Sequence, residues 1–176
     1  MIELVEIESN DSYWGDVFKQ QKALLESIMK DEIESVYHIG STAIPGIHAK
    51  PIVDILVVVK DIERVDAYDP TFRENGYEPN GEHGIPRRRF FDRRRSQNDS
   101  SSTIHVHTFQ IGSPNVERHI NFRDYLLAHP YEAKKYEALK LELAQTFRDD
   151  RLAYTDGKSE FIRSIEEKAL RWRASH

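Results

Sequence analysis

The apolar positions in the first part of the chain recur with two different periods. Within residues 12–30 they recur at helical spacing, which predicts a helix. The segments 33–39 and 52–59 are short and rich in β-branched residues, as buried strands are. Residues 61–75 have helical spacing again, and Gly76 follows them as a stop signal. The pattern therefore predicts the order helix, strand, strand, helix.

The rest of the chain is predicted to form one hairpin followed by helices. Residues 87–91 and 103–111 have strand character and are separated by a polar turn region, which favours a hairpin with a long loop. Helical patterns then occupy residues near 115–128, 131–148 and 156–172. Strands followed by helices predict an α+β fold, in which helices pack on a mixed β-sheet and the C-terminal half is helical. We expect one domain over the whole chain.

The composition narrows the classes of function. Apolar residues make up 39% of the 176 positions and charged residues 31%, with a formal net charge of −5, so non-specific binding of polyanions is not expected. Without cysteine the chain has no disulfide, no thiolate nucleophile and no cysteine-based zinc site. The N-terminal sequence is acidic, and the longest apolar run, 52–59, is too short for a bilayer. We therefore expect a cytoplasmic protein with no signal peptide and no membrane partner.

The segment HIGSTAIPGIHAKPIVDILV combines a glycine-containing turn with a strand that carries one acid. Gly40 lets the backbone approach a phosphate closely, and Ser41 and Thr42 offer N–H groups and hydroxyls to its oxygens. Asp54 interrupts an apolar strand, and a buried carboxylate needs a cation, a network of donors or an open cleft. The spacing predicts a phosphate site at Gly40, Ser41 and Thr42 facing Asp54. The alternative is a tight turn beside an Asp54 that is paired to a nearby Arg or Lys.

This segment resembles the signature of the GrpB-like family, a branch of the nucleotidyltransferase superfamily. GEHGIPRRRFF, HVHTFQIGSPNVERHINFRDYL and YTDGKSEFI resemble further family motifs in the same order, so the resemblance covers nearly the whole chain. It implies a nucleotidyltransferase-like fold, with Gly40 and Ser41 in the glycine-serine position and Asp54 as the first metal-binding carboxylate. Active members of the superfamily usually carry a second acid two positions along this strand, where this chain has Leu56. Without that acid, the two-magnesium arrangement for phosphoryl transfer is incomplete.

Histidines are candidates to complete the site around Asp54. His105 and His107 flank one residue of a predicted strand, so both rings lie on the same face. Beside the Asp54 strand they would form a set of two histidines and one carboxylate for a divalent metal, with zinc or manganese favoured over magnesium. The alternative is that both histidines hydrogen-bond to phosphate or to neighbouring side chains. Glu82 and His83 lie in a turn that is a candidate to face the same cleft, and Asp54 or Glu82 is the candidate general base.

Positions on the helical wheel independently indicate an anion site. His119 and Arg123 fall inside the apolar arc of the first C-terminal helix, Lys140 inside that of the second and Lys158 inside that of the third. Basic groups on three apolar faces predict convergence on a ligand with phosphates, to which Tyr154 would offer a hydroxyl or a stacking face. The alternative is that these long side chains reach solvent at the edge of the core or form internal ion pairs.

The segment 87–95 holds six arginines in nine residues. Strand alternation places Arg88 and Arg89 on opposite faces, and we predict that one arginine of the run reaches the cleft and contacts phosphate while the others are solvated. Binding of RNA through the run is the alternative. A single basic patch on an acidic protein gives limited affinity, because affinity increases with the number of phosphates neutralised.

Three functions are compatible with these residues. The first is a metal-dependent nucleotidyltransferase acting on a nucleotide or another phosphorylated small molecule, with magnesium, manganese or zinc as the metal. The phosphate charge of this ligand would be neutralised by the basic residues Lys50, Arg123, Lys140 and Lys158. The second is a non-catalytic module that binds the same ligands, which the Leu56 departure supports. The third is an RNA-binding adaptor that uses the arginine run.

Overall fold

The computed structural model describes residues 12–94 and 102–176. Its helices and strands, in chain order, are α1 (Ser12–Met29), β1 (Ile33–Ile39), β2 (Val53–Val59), α2 (Asp69–Glu74), β3 (Glu78–Pro79), β4 (Arg89–Arg94), β5 (Ser102–Gln110), α3 (Pro114–Ala128), α4 (Pro130–Thr146) and α5 (Arg151–Ala174). Shorter 3₁₀ segments occupy Lys30–Glu32, Ser41–Ala43 and Ile62–Tyr68.

The strands form one mixed sheet with the order β1-β2-β5-β4-β3. β2 and β5 are parallel, and the other neighbouring strands are antiparallel. The predicted α+β fold with a mixed sheet is confirmed, and so is the hairpin, which β4 and β5 form. In the parallel pair Asp54 lies opposite His105, and Leu56 lies opposite His107. The topology therefore brings the predicted acid and the predicted histidines onto neighbouring strands.

The alternation of side chains along β2 directs its residues into two cores. Val53, Ile55 and Val57 pack with residues of α1 and α2 on one face of the sheet. Leu56 and Val58 belong to a cluster on the other face, against which side chains of α3 pack. A third cluster joins α3, α4 and α5 to the loop between β1 and β2. Asp54 shares the face of Leu56, so it points toward the helical half of the protein.

Two helices differ from the sequence-based prediction in ways that local chemistry explains. The segment expected to be one helix over 61–75 is a 3₁₀ segment followed by α2, because Pro70 has no N–H to continue a helical ladder through this point. The last helix begins at Arg151 rather than near 156. The Asp150 side chain accepts a hydrogen bond from the Ala153 N–H at 3.0 Å and so caps the earlier start.

The length and polarity of the helices bear on membrane insertion. Within residues 12–94 and 102–176, no helix is both long enough and apolar enough to cross a bilayer. Even α5, with 24 residues, carries charged side chains along its length.

Candidate functional site

A cleft of about 400 Å³ lies between the Asp54 carboxylate on β2 and the helices α4 and α5. Three structural units contribute to it: the loop between β1 and β2, the strands β2 and β5, and the helices α4 and α5. The lining residues are Ser41, Lys50, Ile52, Asp54, His105, His107, Lys140, Arg151, Tyr154, Thr155 and Lys158. Four of these are Lys or Arg, and one is a carboxylate, so the cleft has an excess of positive charge.

The glycine-serine turn packs directly on Asp54. Gly40 has a φ of +73°, and a Cβ atom at this position would lie 2.7 Å from Oδ2 of Asp54. The Thr42 hydroxyl donates to the Ile52 carbonyl at 3.3 Å and lies 2.9 Å from Nε2 of His38, which ties the start of the loop to its end. Gly40 is thus required both for the backbone conformation and for the space that Asp54 occupies.

The Asp54 carboxylate is surrounded by imidazoles. Oδ1 of Asp54 lies 3.0 Å from Nε2 of His107 and 3.8 Å from Nδ1 of His105. Burial favours the neutral acid, but the hydrogen bond to His107 and the nearby rings of His107, His105 and His119 lower the pKa of Asp54 below its ordinary value. The carboxylate is therefore held in its charged form inside the cleft.

Lysines from the loop and from two helices form the basic wall of the cleft. The Lys50 ammonium lies 4.0 Å above the ring of Tyr154, and that of Lys158 lies 4.9 Å from the same ring. Burial, together with the like charges of Lys158 and Lys50, lowers the pKa of Lys140 to about 7, although Glu137 acts in the opposite direction. Burial also lowers the pKa of Lys158, while Asp54 raises it and Arg151 lowers it. The protonated form of both lysines is thus electrostatically unfavourable unless an anion is near.

Hydroxyl groups add polar contacts to the same cleft. Tyr154 is fully buried, and its hydroxyl has no hydrogen-bond partner among the described residues. Ser41, in the turn, hydrogen-bonds with the buried hydroxyl of Tyr136 on α4. Thr155 lies one residue after Tyr154 on α5 and lines the cleft with it. A ligand in the cleft would meet hydroxyls as well as cations.

Two of the predicted basic residues lie behind Asp54 rather than along the cleft. Arg88 is 7% exposed, and its Nη1 donates to Nδ1 of His107 at 3.3 Å, so it contacts a cleft residue but does not itself line the cleft. The ring of His119 lies 5.6 Å from that of His107, and its Nε2 is 3.3 Å from Nη2 of Arg118. Burial is the main reason why the pKa of His119 is lowered to about 3.

Other predicted site residues contact protein groups outside the cleft lining. The Glu82 side chain accepts a hydrogen bond from the Arg87 backbone N–H in an exposed turn. The Arg89 guanidinium forms an ion pair with Asp66, with Nε 2.6 Å from Oδ1. These contacts lie away from the lining residues of the cleft, so the structure does not bring Glu82 and Arg89 together with Asp54.

Arg123 of α3 has partners near the end of β1. Its Nη2 lies 2.8 Å from a carboxylate oxygen of Asp124, and its Nη1 donates to the His38 carbonyl at 3.3 Å. The guanidinium also lies 5.7 Å from the ring of Tyr37. Of the basic residues identified by the helical wheels, Lys140 and Lys158 line the cleft, whereas Arg123 does not.

The arginine run is divided between different surroundings. Arg88 is buried, Arg89 pairs with Asp66, and Nη1 of Arg93 donates to the Gln21 side chain at 3.0 Å. Arg95, the last residue of the run, lies outside the described residues. Guanidinium groups that contact other parts of the protein do not form one continuous solvated patch.

Sequence reasoning missed three of the lining residues: Ile52, Arg151 and Thr155. The two on α5 were missed because the helix was predicted to begin near 156. Asp150, a favourable N-cap residue, was the available signal for the earlier start. With α5 beginning at Arg151, positions 151, 155 and 158 share one helical face with Tyr154.

The side chains around Asp54 can be compared with the ligands that the metal implied by the family resemblance requires. Within the described segments, no group of three or more His, Cys, Asp or Glu side chains is arranged to hold a metal ion. Leu56, at the position of the second acid, is fully buried among apolar side chains. A pair of magnesium ions requires more carboxylate oxygens than Asp54 provides, so these residues do not fit that arrangement. Binding of one softer ion by Asp54, His105 and His107 stays a prediction.

Glu137 of α4 contacts the loop between β1 and β2, which carries residues that line the cleft. Its carboxylate accepts hydrogen bonds from the backbone N–H of His48 and from the Lys134 ammonium at 3.1 Å, and it lies 2.9 Å from Nδ1 of His48. Lys134 also donates to the Gly46 carbonyl, and Lys140 donates to the His48 carbonyl. Burial opposes the charge on Glu137, but these donors lower its pKa to about 2. The loop is thus held against α4 by Glu137 together with Lys134 and Lys140.

Comparisons with known proteins give a consistent assignment. The family model described as GrpB protein matches residues 4–168. YqkA of Bacillus subtilis is 43% identical over 169 residues, which are 96% of this chain and 48% of that protein, so the chain spans about half the length of this relative. The glutamate-rich protein GrpB of Alkalihalophilus pseudofirmus is 35% identical over 86% of this chain and 88% of its own. The crystal structure of the conserved protein GrpB from Enterococcus faecalis superimposes with a TM-score of 0.89 at 37% identity, covering 96% of this chain and 99% of that one.

Proposed function

The chain belongs to the GrpB family, and from this premise we propose that its cleft binds the phosphate groups of a nucleotide or another phosphorylated small molecule. The observation that carries the proposal is the convergence of four basic side chains on a cleft whose lining includes one carboxylate. These side chains are Lys50, Lys140, Arg151 and Lys158. A cleft lined by charge of one sign concentrates ligands of the opposite sign.

The electrostatics of the two helical lysines support an anionic ligand. The lowered pKa values of Lys140 and Lys158 mean that each ammonium is destabilised by burial and by other cations. A phosphate beside them would offset that cost and make charge-assisted hydrogen bonds.

The proposal concerns binding rather than a reaction. Leu56 occupies the place of the second acid of the superfamily, and the residues present do not fit a pair of magnesium ions. Asp54, held in its charged form, would accept a hydrogen bond from a hydroxyl or amino group of the ligand. RNA is not included, because Arg88, Arg89 and Arg93 make contacts within the protein.

Replacing Lys158 by methionine tests the proposal. The substitution keeps an unbranched side chain and removes the ammonium, so affinity should fall about tenfold, as expected when a hydrogen bond to a charged group is lost. The measurement is isothermal titration calorimetry of the wild type and the variant. The panel consists of inorganic phosphate, pyrophosphate, AMP, ADP, ATP and GTP at fixed ionic strength.

A lysine outside the cleft serves as the matched control. Lys135 is exposed on α4 and lies over the ring of Tyr131, so Lys135→Met makes the same chemical change away from the cleft lining. Lys135→Met should bind each member of the panel as the wild type does. The proposal fails if the wild type binds no member of the panel, or if both variants lose affinity equally.

Lys140 gives the proposed binding a specific pH dependence. Its pKa of about 7 lies below the ordinary 10.5 of lysine, so the ligand-free protein releases this proton as pH rises through 7. An anion beside Lys140 favours the protonated form, and affinity should therefore fall as pH increases from 6.5 to 8.5. The charged groups that set this pKa are Lys158, Glu137 and Lys50.

The pH effect is isolated by comparing the wild type with Lys140→Met. The titration of the phosphate probe is common to both proteins, so the ratio of their pyrophosphate affinities reports on Lys140 alone. We expect that ratio to shrink by about threefold to tenfold between pH 6.5 and pH 8.5, as proton linkage requires. A ratio that stays constant over this range would show that Lys140 does not sense the bound anion.

A further inference from the structure

Arg88, the residue before β4, is held in one position by the turn that precedes this strand. Its Nε donates to the Glu82 carbonyl at 3.1 Å, and its Nη2 donates to the His83 carbonyl at 2.6 Å. The remaining nitrogen, Nη1, donates to Nδ1 of His107 at 3.3 Å. All three nitrogens of the guanidinium therefore have acceptors, and the side chain is buried where solvent does not replace them.

The chemistry of the guanidinium determines the proton position on His107. Arginine has five N–H donors, no acceptor, and stays protonated in proteins. A donor that faces Nδ1 of His107 requires a lone pair on that atom. An imidazole with a lone pair on Nδ1 carries its proton on Nε2. The Nε2–H of His107 then donates to Oδ1 of Asp54, 3.0 Å away.

We propose that Arg88 is a positioning residue that fixes His107 in the Nε2–H tautomer, which makes His107 a hydrogen-bond donor to Asp54 and not a metal ligand. A histidine that binds a metal through one nitrogen almost always donates the N–H of its other nitrogen to an acceptor. His107 has the opposite arrangement, with a donor at Nδ1 and a carboxylate at Nε2. This assignment replaces the metal-ligand role predicted for His107 from the sequence.

The consequence is that the Asp54 carboxylate is held in one orientation inside a basic cleft. The chain of donors from Arg88 through His107 orients the Asp54 carboxylate, whose Oδ2 faces the space left by Gly40. His107 is not a general base in this tautomer, because its one lone pair is occupied by Arg88. The inference concerns the same cleft as the proposed function, but it is measured without a phosphate ligand, so either can fail while the other holds.

The proton position is observable by NMR. In protein labelled with ¹⁵N at histidine, long-range ¹H–¹⁵N correlation spectra in mildly alkaline buffer distinguish the two imidazole tautomers, and His107→Gln assigns the signals. We expect wild-type His107 to show the Nε2–H form in about tenfold excess or more, as a hydrogen bond from a charged donor implies. In Arg88→Met that excess should become smaller, because the Asp54 carboxylate is then the charged partner that still favours Nε2–H. In Arg88→Lys, which keeps a donor without an acceptor, the excess should be partly restored.

Arg89→Met is the matched control, because Arg89 is the adjacent arginine of β4 and pairs with Asp66 away from His107. It should leave the His107 signals as they are in the wild type. The proposal is overturned if wild-type His107 shows the Nδ1–H form, or if a folded Arg88→Met keeps as large an excess of the Nε2–H form as the wild type. Loss of the Nε2 proton when Zn²⁺ is added to the wild type would overturn it as well. If Arg88→Met does not fold, the wild-type spectra decide which tautomer is present, and Arg88→Lys tests the part played by Arg88.

Discussion

Gly40→Ala should lower the free energy of unfolding by about 3–4 kcal/mol, the sum of a backbone cost and a steric cost. At Gly40, φ is +73° and ψ is −172°, a region that residues with a Cβ essentially avoid. The new methyl would lie 2.7 Å from Oδ2 and 3.2 Å from Cβ of Asp54. Asp54 would have to move and to lose its hydrogen bond to His107. Urea denaturation followed by tryptophan fluorescence measures the change.

Gly46→Ala separates the two costs. Gly46 also has a positive φ, of +82°, but a Cβ there meets no atom within 4 Å. The free energy of unfolding of Gly46→Ala should therefore fall only by the backbone cost, about 1–2 kcal/mol. If the two variants are destabilised equally, then the contact between the turn and Asp54 is not what requires glycine at position 40.

Glu137→Gln should destabilise the protein by about 1–2 kcal/mol near neutral pH. The pKa of Glu137 is lowered from 4.5 to about 2, each pKa unit corresponds to about 1.4 kcal/mol, and solvent around the partner side chains reduces the result. The Glu137 side chain is 12% exposed, whereas those of His48 and Lys134 are 46% and 61% exposed. Glutamine keeps the shape of the side chain but has no charge for His48 and Lys134. The free energy of unfolding of both proteins, measured in urea, gives the difference.

Acid should remove this difference. The folded-state pKa of Glu137 lies below that of the unfolded chain, so the unfolded state binds more protons between pH 4.5 and pH 2. The contribution of Glu137 is therefore fully present above pH 4.5 and is lost as pH falls toward 2. The stability of the wild type should approach that of Glu137→Gln over this interval. Glu142→Gln, an exposed site on the same helix, should match the wild type throughout. A gap that persists at pH 2 would contradict the assignment.

Much of the fold could be predicted because its signals are local. The apolar run of β2 and the alternation that sends Phe90 and Phe91 to opposite faces of β4 both follow from the period of a strand. The family resemblance likewise rests on contiguous motifs, and the family model that matches residues 4–168 confirms it. The split of the segment 61–75 depends on Pro70, whose missing N–H outweighs the helical spacing around it.

The site was predictable only where the spacing of residues determined proximity. Asp54 and His105 could be expected on neighbouring strands, and the parallel register confirms that they lie opposite each other. The partners of Arg89 and Arg123 could not be inferred, because Asp66 lies on a distant segment and the His38 carbonyl carries no sequence signal. Arg151 lies in the cleft because α5 begins there, directly after its N-cap residue Asp150. A helical wheel contains no information about such a cap.

The close packing of α4 and α5 determines how the cleft would select a ligand. Gly157 lies so near Leu143 that a Cβ would be 2.6 Å from its Cδ2, and the two helices have little room to slide past each other. The distances among Lys140, Arg151 and Lys158 are therefore set before any ligand arrives. A rigid array of charges recognises the spacing of anionic oxygens more than their number, and it loses little entropy on binding. Phosphate compounds of equal charge but different geometry should thus differ in affinity.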